Sequence, residues 1–425
     1  MKALHLLLLS ALLCVAELLS SQSVLAQFSQ QGPKLVGTGA VGSAAQGRSV
    51  AISGDGTTAI VGGPSDDEDA GAAWVWTRSG QIWSQQAKLV GTGTTGKGGQ
   101  GASVSLSGDG NTAIVGGPSD NGNTGAAWIW TRSAGLWTQQ PVKLVGSDVV
   151  GIAFRGRSVS LSADGGTAIV GGPADNGGAG AAWVWTLSHG VWTQQGAKLV
   201  GLGAAGNALQ GTAVALSADG STAIIGGEAD DHYAGAAWVW TRNGALWSQQ
   251  SPKLVGSDAT EPEAQGWSAS LSANGDTAIV GGPQGHGAAW VWTRSEGVWS
   301  QQSGKLVCSD GIGAAQGSSV SLSASGDTAL IGGQATETIA LAFGGYAGKG
   351  AAWIWTRSGG VWSQQSARLL GNGAPVPAEQ GSSVSLSADG KTAISGGPGD
   401  ISGGAVWVFA APESVSPQRR RVVKP

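Results

Sequence analysis

The chain has 425 residues, of which 75 are glycine and only 12% are charged, and its formal net charge is −4. A glycine content this high disfavours long helices and suits short strands that are joined by tight turns. Only 2 cysteines are present, and Cys14 lies in the first 26 residues, so no disulfide framework is expected.

Residues 1–26 have the pattern of a secretory signal peptide. Lys2 supplies the positive start, Leu6 to Leu13 form the apolar run, and Ala26 ends a small-residue cleavage site. The alternative is a membrane anchor, which the shortness of the run and Glu17 disfavour. We therefore expect a secreted, periplasmic or cell-surface protein with no transmembrane segment after cleavage.

A stretch that reads Gly71-Ala72-Ala73-Trp74-Val75-Trp76 recurs along the chain, each time after a turn of the Asp-Gly type. The equivalent turn positions are Asp55, Asp109, Asp164, Asp219, Asn274, Ser325 and Asp389, which are spaced by 54, 55, 55, 55, 51 and 64 residues. Each copy holds four strand-like segments, and Asp-Gly between such segments is a strong hairpin signal. Seven such units predict an all-β fold, a seven-bladed β-propeller of four-stranded antiparallel blades over residues 27–411.

The tryptophan pairs are predicted to form the core of this propeller. Trp74 and Trp76 project from one face of their strand, and Ala73 and Val75 project from the other. A large face packed against the small face of the next blade would fill the wedge between them. A sugar-stacking platform is the alternative interpretation of these tryptophans.

The two ends of the repeat region predict how the ring closes. Residues 28–36 match the fourth strand of a repeat, with Phe28 in the tryptophan position, whereas the last repeat stops after its third strand at Phe409. The N-terminal strand should therefore complete the last blade. Each outer strand also carries one basic residue, which we interpret as a charge that discourages edge-to-edge pairing. These residues are Lys34, Lys88, Lys143, Lys198, Lys253, Lys305 and Arg368.

The repeat resembles the FG-GAP family, the seven-bladed propeller repeats of integrin α subunits and of many secreted bacterial proteins. Gln46-Gly47 begins a repeat and has counterparts in the others, of which Phe154-Arg155-Gly156 comes nearest to "FG". Ile60 to Pro64 stands in place of "GAP". Kelch-type propellers, which also use glycine pairs and tryptophan, are the alternative.

Family members that bind calcium carry a D-x-D-x-D-G loop between the first two strands. At Asp55 the matching earlier positions are Ala51 and Ser53, which leaves one carboxylate per loop. Calcium takes six to eight oxygen ligands, so we expect no cofactor and disfavour calcium in these loops.

No motif points to catalysis. Gly37 to Gly42 is a formal G-x-G-x-x-G, but the helix that a dinucleotide site needs is not predicted there. The histidines after residue 26, His189, His232 and His286, lack metal-ligand spacing. Basic residues do not cluster with aromatic residues in the sequence, so no nucleic-acid partner is expected.

The strand order predicts a binding face. Loops after the second strand and segments between blades should share one face, which would hold 17 of the 25 acidic residues between Phe28 and Ala411. Candidate binding residues on this face are Asp66, Asp67, Asp69, Asp230, Asp231, His232, Tyr233, His286, Phe343 and Tyr346.

These features predict a non-enzymatic binding or adhesion module, with a protein or glycan partner, that is monomeric. The alternatives are a structural envelope or matrix protein and, with less support, an enzyme that acts on polysaccharide or phosphoester. Residues 412–425 form a basic tail that we expect to be disordered.

Overall fold

The computed structural model describes residues 27–260, 262–311, 315–335, 339–340, 346–365 and 367–412. The predicted signal peptide, and the tail from residue 413 onwards, lie outside the described residues. Within them the chain forms seven four-stranded antiparallel sheets and one two-stranded hairpin.

Six sheets have their strands in chain order, from the axis outwards. Blade one contains β2 (Ser49–Ile52), β3 (Thr58–Gly63), β4 (Ala72–Ser79) and β5 (Ile82–Leu89). Blade two contains β6 (Ser103–Leu106), β7 (Thr112–Gly117), β8 (Ala126–Ser133) and β9 (Leu136–Gln139). Blade three contains β10 (Ser158–Leu161), β11 (Thr167–Gly172), β12 (Ala181–Ser188) and β13 (Val191–Gln194). Blade four contains β14 (Ala213–Leu216), β15 (Thr222–Gly227), β16 (Ala236–Asn243) and β17 (Leu246–Leu254).

Blade five follows the same pattern, whereas blade six contains an extra hairpin and blade seven takes its outer strand from the start of the chain. Blade five contains β18 (Ser268–Leu271), β19 (Thr277–Gly282), β20 (Ala288–Ser295) and β21 (Val298–Gln301). Blade six contains β22 (Gln316–Leu322), β23 (Thr328–Gly333), β26 (Ala351–Ser358) and β27 (Val361–Gln364), with the extra hairpin β24 (Ile339–Ala340) and β25 (Tyr346–Ala347). Blade seven contains β28 (Ser383–Leu386), β29 (Thr392–Gly397), β30 (Ala405–Ala410) and, as its outer strand, β1 (Ser29–Gln30).

The blades form a closed ring, as the sequence predicted. Innermost strands of consecutive blades contact one another, and β28 of the last blade contacts β2 of the first. The closing strand β1 pairs with β30, with Ser29 opposite Ala410 and Gln30 opposite Phe409, and Leu35 bridges to Val406. The seven-bladed β-propeller and its closure by the N-terminal strand are therefore confirmed.

The core lies between neighbouring blades and has the predicted large-against-small packing. Between blades one and two, Trp128 and Trp130 share one buried cluster with Ala73 and Val75. The first tryptophan of each pair is fully buried, and the Nε1 of Trp74 donates a hydrogen bond to Thr38 O at 2.9 Å. These tryptophans are therefore core residues whose polar atom is satisfied, and they present no surface on which a sugar could stack.

The two faces of the ring differ. On the hairpin face, which bears the Asp-Gly turns, one backbone hydrogen bond joins each turn to the next around the whole axis. In each bond the N–H of one turn donates to the C=O of the next turn, and the seven bonds close a ring. The residues in order are Gly54, Gly108, Ala163, Ala218, Ala273, Ala324 and Ala388, which donates back to Gly54. A Cβ on Gly54 would lie 3.1 Å from Gly108 O, so this close approach explains the small residues. The opposite face, here called the loop face, bears the loops after the second strands and the segments between blades.

Candidate functional site

Short helical turns carry most of the predicted binding residues on the loop face. They are α1 (Asp66–Asp69), α2 (Asp120–Asn123), α3 (Asp175–Gly178) and α4 (Asp230–Tyr233). The first aspartate of each turn is buried, and it accepts a hydrogen bond from the preceding connecting segment, as Asp66 does from Val41 N at 2.7 Å. The same carboxylate is paired with the outer-strand lysine, at 2.6 Å between Lys88 Nζ and Asp66 Oδ2.

This ion pair recurs around the ring and corrects two expectations. The pairs are Lys34–Asp400, Lys88–Asp66, Lys143–Asp120, Lys198–Asp175, Lys253–Asp230 and Lys305–Glu263. These lysines are not free charges on the blade edges, because each one reaches a buried carboxylate under the loop face. Asp66 and Asp230, which were binding candidates, are likewise buried and hold their loops in place. The shorter loop of blade five has no such aspartate. Lys305 pairs instead with Glu263 of the segment that precedes blade five.

Other acidic residues on this face are also engaged within the fold. Asp148, Asp258 and Asp310 each accept a hydrogen bond from a buried tryptophan Nε1. For Asp148 this is Trp183, at 2.7 Å. Burial acts to raise the pKa of the Asp148 carboxyl, but hydrogen bonds from Lys198 N and Trp183 hold it below the ordinary value. Part of the acidic character predicted for the loop face is therefore charge that is engaged within the fold.

The Gln-Gly motif and the glycine-rich segments also have a structural explanation. Gln46 is buried, its Oε1 accepts from Gly37 N at 2.6 Å, and its Nε2 donates to Gly37 O at 2.9 Å. A Cβ on Gly37 would lie 2.3 Å from Trp74 Cδ1, so glycine is needed there for the tryptophan to pack. The formal G-x-G-x-x-G is thus explained by core packing.

The Asp-Gly turns use their carboxylates for turn geometry. Asp55 Oδ1 accepts from Ser53 Oγ at 2.5 Å and from Thr57 N at 2.9 Å, and Oδ2 accepts from Thr57 Oγ1 at 2.7 Å. Burial works to raise the pKa of the Asp55 carboxyl, but these hydrogen bonds lower it overall. Among the residues described between 27 and 412, no group of three His, Cys, Asp or Glu side chains could hold a metal ion. The absence of calcium stays a prediction.

The blade-four turn α4 exposes side chains in a strained backbone. Asp231, His232 and Tyr233 have φ values of 47°, 60° and 68°, in the left-handed region. Blade two has Asn121 and Gly122 at the first two of these positions, and such residues tolerate this conformation. The side chains of His232 and Asp231 are 97% and 65% exposed. Aspartate and histidine are among the residues enriched in this conformation, whereas a tyrosine there is costly to the fold, so Tyr233 is a candidate for a role outside it.

The other predicted binding residues are dispersed around the ring. Asp67 and Asp69 are exposed on blade one, and Asp69 pairs with Lys97 at 3.0 Å. His286 is exposed on blade five. Blade four meets the segment before blade five where Ala264 N donates to Tyr233 O at 2.8 Å. Phe343 lies outside the described residues, as does the side chain of Tyr346.

Sequence reasoning missed a cavity at the mouth of the central channel. The residues that follow the Gln-Gly motif, or its blade-three counterpart, line this cavity from all seven blades. They are Arg48, Ala102, Arg157, Thr212, Trp267, Ser318 and Ser382. Gln334 also lines the cavity, which has a volume of about 190 Å³. Because the innermost strands begin on the loop face, the cavity opens among the variable loops.

The charges at the channel mouth act on one another. Burial lowers the pKa of the Arg157 guanidinium, repulsion from Arg48 lowers it further, and Glu228 opposes both. Burial also raises the pKa of the Glu228 carboxyl, against the effect of Arg157. Glu228 Oε2 is buried and has no hydrogen-bond partner among the described residues. The fold thus brings two arginines and a tryptophan together, although they showed no clustering in the sequence.

A signal for this cavity was present in the repeat. Five blades carry proline after the Gly-Gly that ends the second strand, whereas blades four and six carry Glu228 and Gln334 there. Gln334 lines the cavity, and Glu228 acts on Arg157, which lines it. Alignment of the repeats by position, followed by a search for positions that vary in chemistry, would have found the site.

No model of a known protein family matches the sequence, and a search of curated proteins found no similar sequence. No helix in the described ranges is long and apolar enough to cross a membrane. The fold defines the protein as a seven-bladed β-propeller, and the FG-GAP resemblance remains a hypothesis.

Proposed function

We propose that the protein is an exported, non-enzymatic binding module of the FG-GAP type, which holds a protein or glycan ligand on its loop face through residues 231–233. The observation that carries this proposal is the strained and exposed turn α4. Its backbone matches those of the other turns, but Tyr233 occupies the position at which those turns carry Asp69, Asn123 and Gly178. Strain of this kind persists where a function requires the side chains.

The chemistry of α4 suits recognition of a polar ligand. Tyr233 is 48% exposed and offers an apolar ring with a hydroxyl, a combination that is frequent at interfaces. His232 Nδ1 lies 3.3 Å from Asp231 Oδ1, so the carboxylate can orient the imidazole towards a ligand. Backbone hydrogen bonds, as from Asp231 N to Ala205 O at 3.0 Å, hold the main chain of this turn in place, which lowers the backbone entropy lost on binding.

A structural role in an envelope or matrix is the second candidate function. It is favoured by a strongly exposed apolar side chain at the first residue of the outer strand in six blades. These residues are Ile82, Leu136, Val191, Leu246, Val298 and Val361. They encircle the hairpin face, where lateral contact between copies would cover them.

The test is to transplant the blade-two turn into blade four, as Asp231→Asn/His232→Gly/Tyr233→Asn. Wild type and variant are applied to a glycan array, and the affinity for each ligand found is measured by biolayer interferometry. We expect the transplant to weaken binding at least about tenfold, in line with loss of a small cluster of central contacts.

Leu246→Ser, on the opposite face of the same blade, is the matched control and should bind like wild type. If a ligand binds the folded transplant as tightly as wild type, the assigned turn is wrong. If Leu246→Ser instead abolishes self-association seen by analytical ultracentrifugation, the structural role is favoured.

A further inference from the structure

We propose that the channel mouth is a binding site for a small oxyanion, a carboxylate, sulfate or phosphate group, held by Arg48 and Arg157 beside Trp267. The site is separate from turn α4. The inference therefore goes beyond the proposed function, and it stands even if α4 binds nothing.

The first argument is that the groups left free in the cavity are hydrogen-bond donors. Neither guanidinium donates a side-chain hydrogen bond to any described residue, and neither does the Trp267 indole. The hydroxyls around them donate elsewhere, as Thr212 Oγ1 does to Leu209 O at 2.9 Å and Ser318 Oγ to Ala315 O at 2.7 Å. The paired N–H donors of a guanidinium group match the spacing of the oxygens of a carboxylate, sulfate or phosphate, and two such groups line this one cavity.

The second argument is that the other arginines of the fold have protein partners. Arg155 donates to Gly146 O at 2.9 Å, Arg132 donates to Gln86 Oε1 at 3.1 Å, and Arg294 pairs with Asp276 at 2.8 Å. Arg157 instead stands half-buried near the guanidinium of Arg48, although like charges repel and burial penalises the charge of Arg157. An anionic ligand would supply the missing partner.

Charge and volume define the ligand further. Arg48 and Arg157 supply two positive charges, which Glu228 near Arg157 offsets only in part, so the mouth is matched by an anion. A cavity of about 190 Å³ is smaller than the roughly 300–1,000 Å³ of sites for drug-sized ligands. The Trp267 side chain adds apolar surface for a carbon skeleton. A small organic acid or an inorganic oxyanion meets these conditions.

Isothermal titration calorimetry at constant ionic strength tests this site. The ligands are acetate, glucuronate, sulfate and phosphate, with glucose as the neutral counterpart of glucuronate and sodium chloride as the background salt. We expect at least one oxyanion to bind with a stoichiometry of one, and glucose not to bind. Preference among the four separates an organic acid from an inorganic anion as the ligand.

Three variants assign the binding to the channel. Arg157→Gln and Arg48→Gln should each weaken the best ligand about tenfold or more, as loss of a charged hydrogen bond does. Lys97→Gln, which removes the same charge from an exposed position on the same face, should stay within about twofold, because solvent and salt screen it. Arg48 is exposed, so its variant keeps the test valid if Arg157→Gln fails to fold.

Two results would overturn the proposal. One is oxyanion binding that is absent, or that weakens equally in Lys97→Gln and the arginine variants, which would show general attraction to charge. The other is tight binding of a cationic ligand such as choline that depends on Glu228, because the site would then select the opposite charge.

Discussion

The ion pair that joins the N-terminal strand to the last blade gives the sharpest prediction about stability. Lys34 Nζ lies 2.7 Å from Asp400 Oδ2, and the side chains are 22% and 0% exposed. Lys34→Met keeps much of the apolar stem but leaves the Asp400 carboxylate buried without a cation. Removing one partner of a buried pair destabilises a protein by about 3–5 kcal/mol.

Lys97→Met is the matched control because it removes the same charge from the same face. Its pair with Asp69 has a distance of 3.0 Å, but the side chains are 65% and 52% exposed. Exposed pairs contribute about 0–1 kcal/mol, so this variant should unfold nearly like wild type. The double variant Lys34→Met/Asp400→Asn should regain part of the lost stability, since it removes the unpaired charge.

The assay is equilibrium unfolding in guanidinium chloride, followed by the fluorescence of the buried tryptophans and compared at the transition midpoint. The predicted difference in unfolding free energy between Lys34→Met and Lys97→Met comes from burial, because both lysines form an ion pair of similar length. If Lys34→Met were no more destabilising than Lys97→Met, or if Asp400→Asn made the lysine variant worse, the buried pair would not secure the closing strand.

Further predictions concern strain, reactivity and acid. His232→Gly should stabilise the protein by about 1 kcal/mol, because the left-handed backbone at residue 232 favours glycine. Ala234→Gly should destabilise it, because Ala234 has a φ of −57° that alanine adopts readily. Chemical denaturation of the two variants compares these effects. Burial raises the pKa of Cys308 to about 12, so iodoacetamide at pH 8 should label this thiol only after unfolding, and labelling of the native protein at the unfolded rate would contradict its burial. The pKa of the Asp55 carboxyl lies below its ordinary value of 3.8, so its stabilising effect is present at neutral pH and is lost as the pH falls below about 4. Thermal melts at pH 6, 4 and 3 should show this decline, and a smaller one for Asp55→Asn, since asparagine stands at the same turn position in blade five.

Local patterns in the sequence were sufficient to predict the fold. The alternation at Trp74 and Val75 predicted which faces meet between blades, and the partial repeats at residues 28–36 and 405–409 predicted the closure. These predictions succeed because strand periodicity and repeat register are local properties that stacking of the blades then enforces.

Side-chain partnerships could not be predicted in the same way. The sequence predicts Lys88 as an edge charge, because nothing in its own strand shows that a loop folds back to bring Asp66 Oδ2 within 2.6 Å of Lys88 Nζ. Arg48, Arg157 and Trp267 lie about a hundred residues apart in sequence and meet only because the ring places equivalent positions around one axis. The chemistry at such positions is visible only after the repeats are superposed.

A binding site built from the side chains that differ between blades is tested most directly by diffraction from crystals grown in sodium selenate. Selenate is an oxyanion whose position is marked by anomalous scattering from selenium. We expect the strongest peak at the channel mouth, in contact with the Arg157 guanidinium, and its loss in crystals of Arg157→Gln. Selenate that occupied only surface lysines, with nothing at the channel mouth, would contradict the assignment of the site.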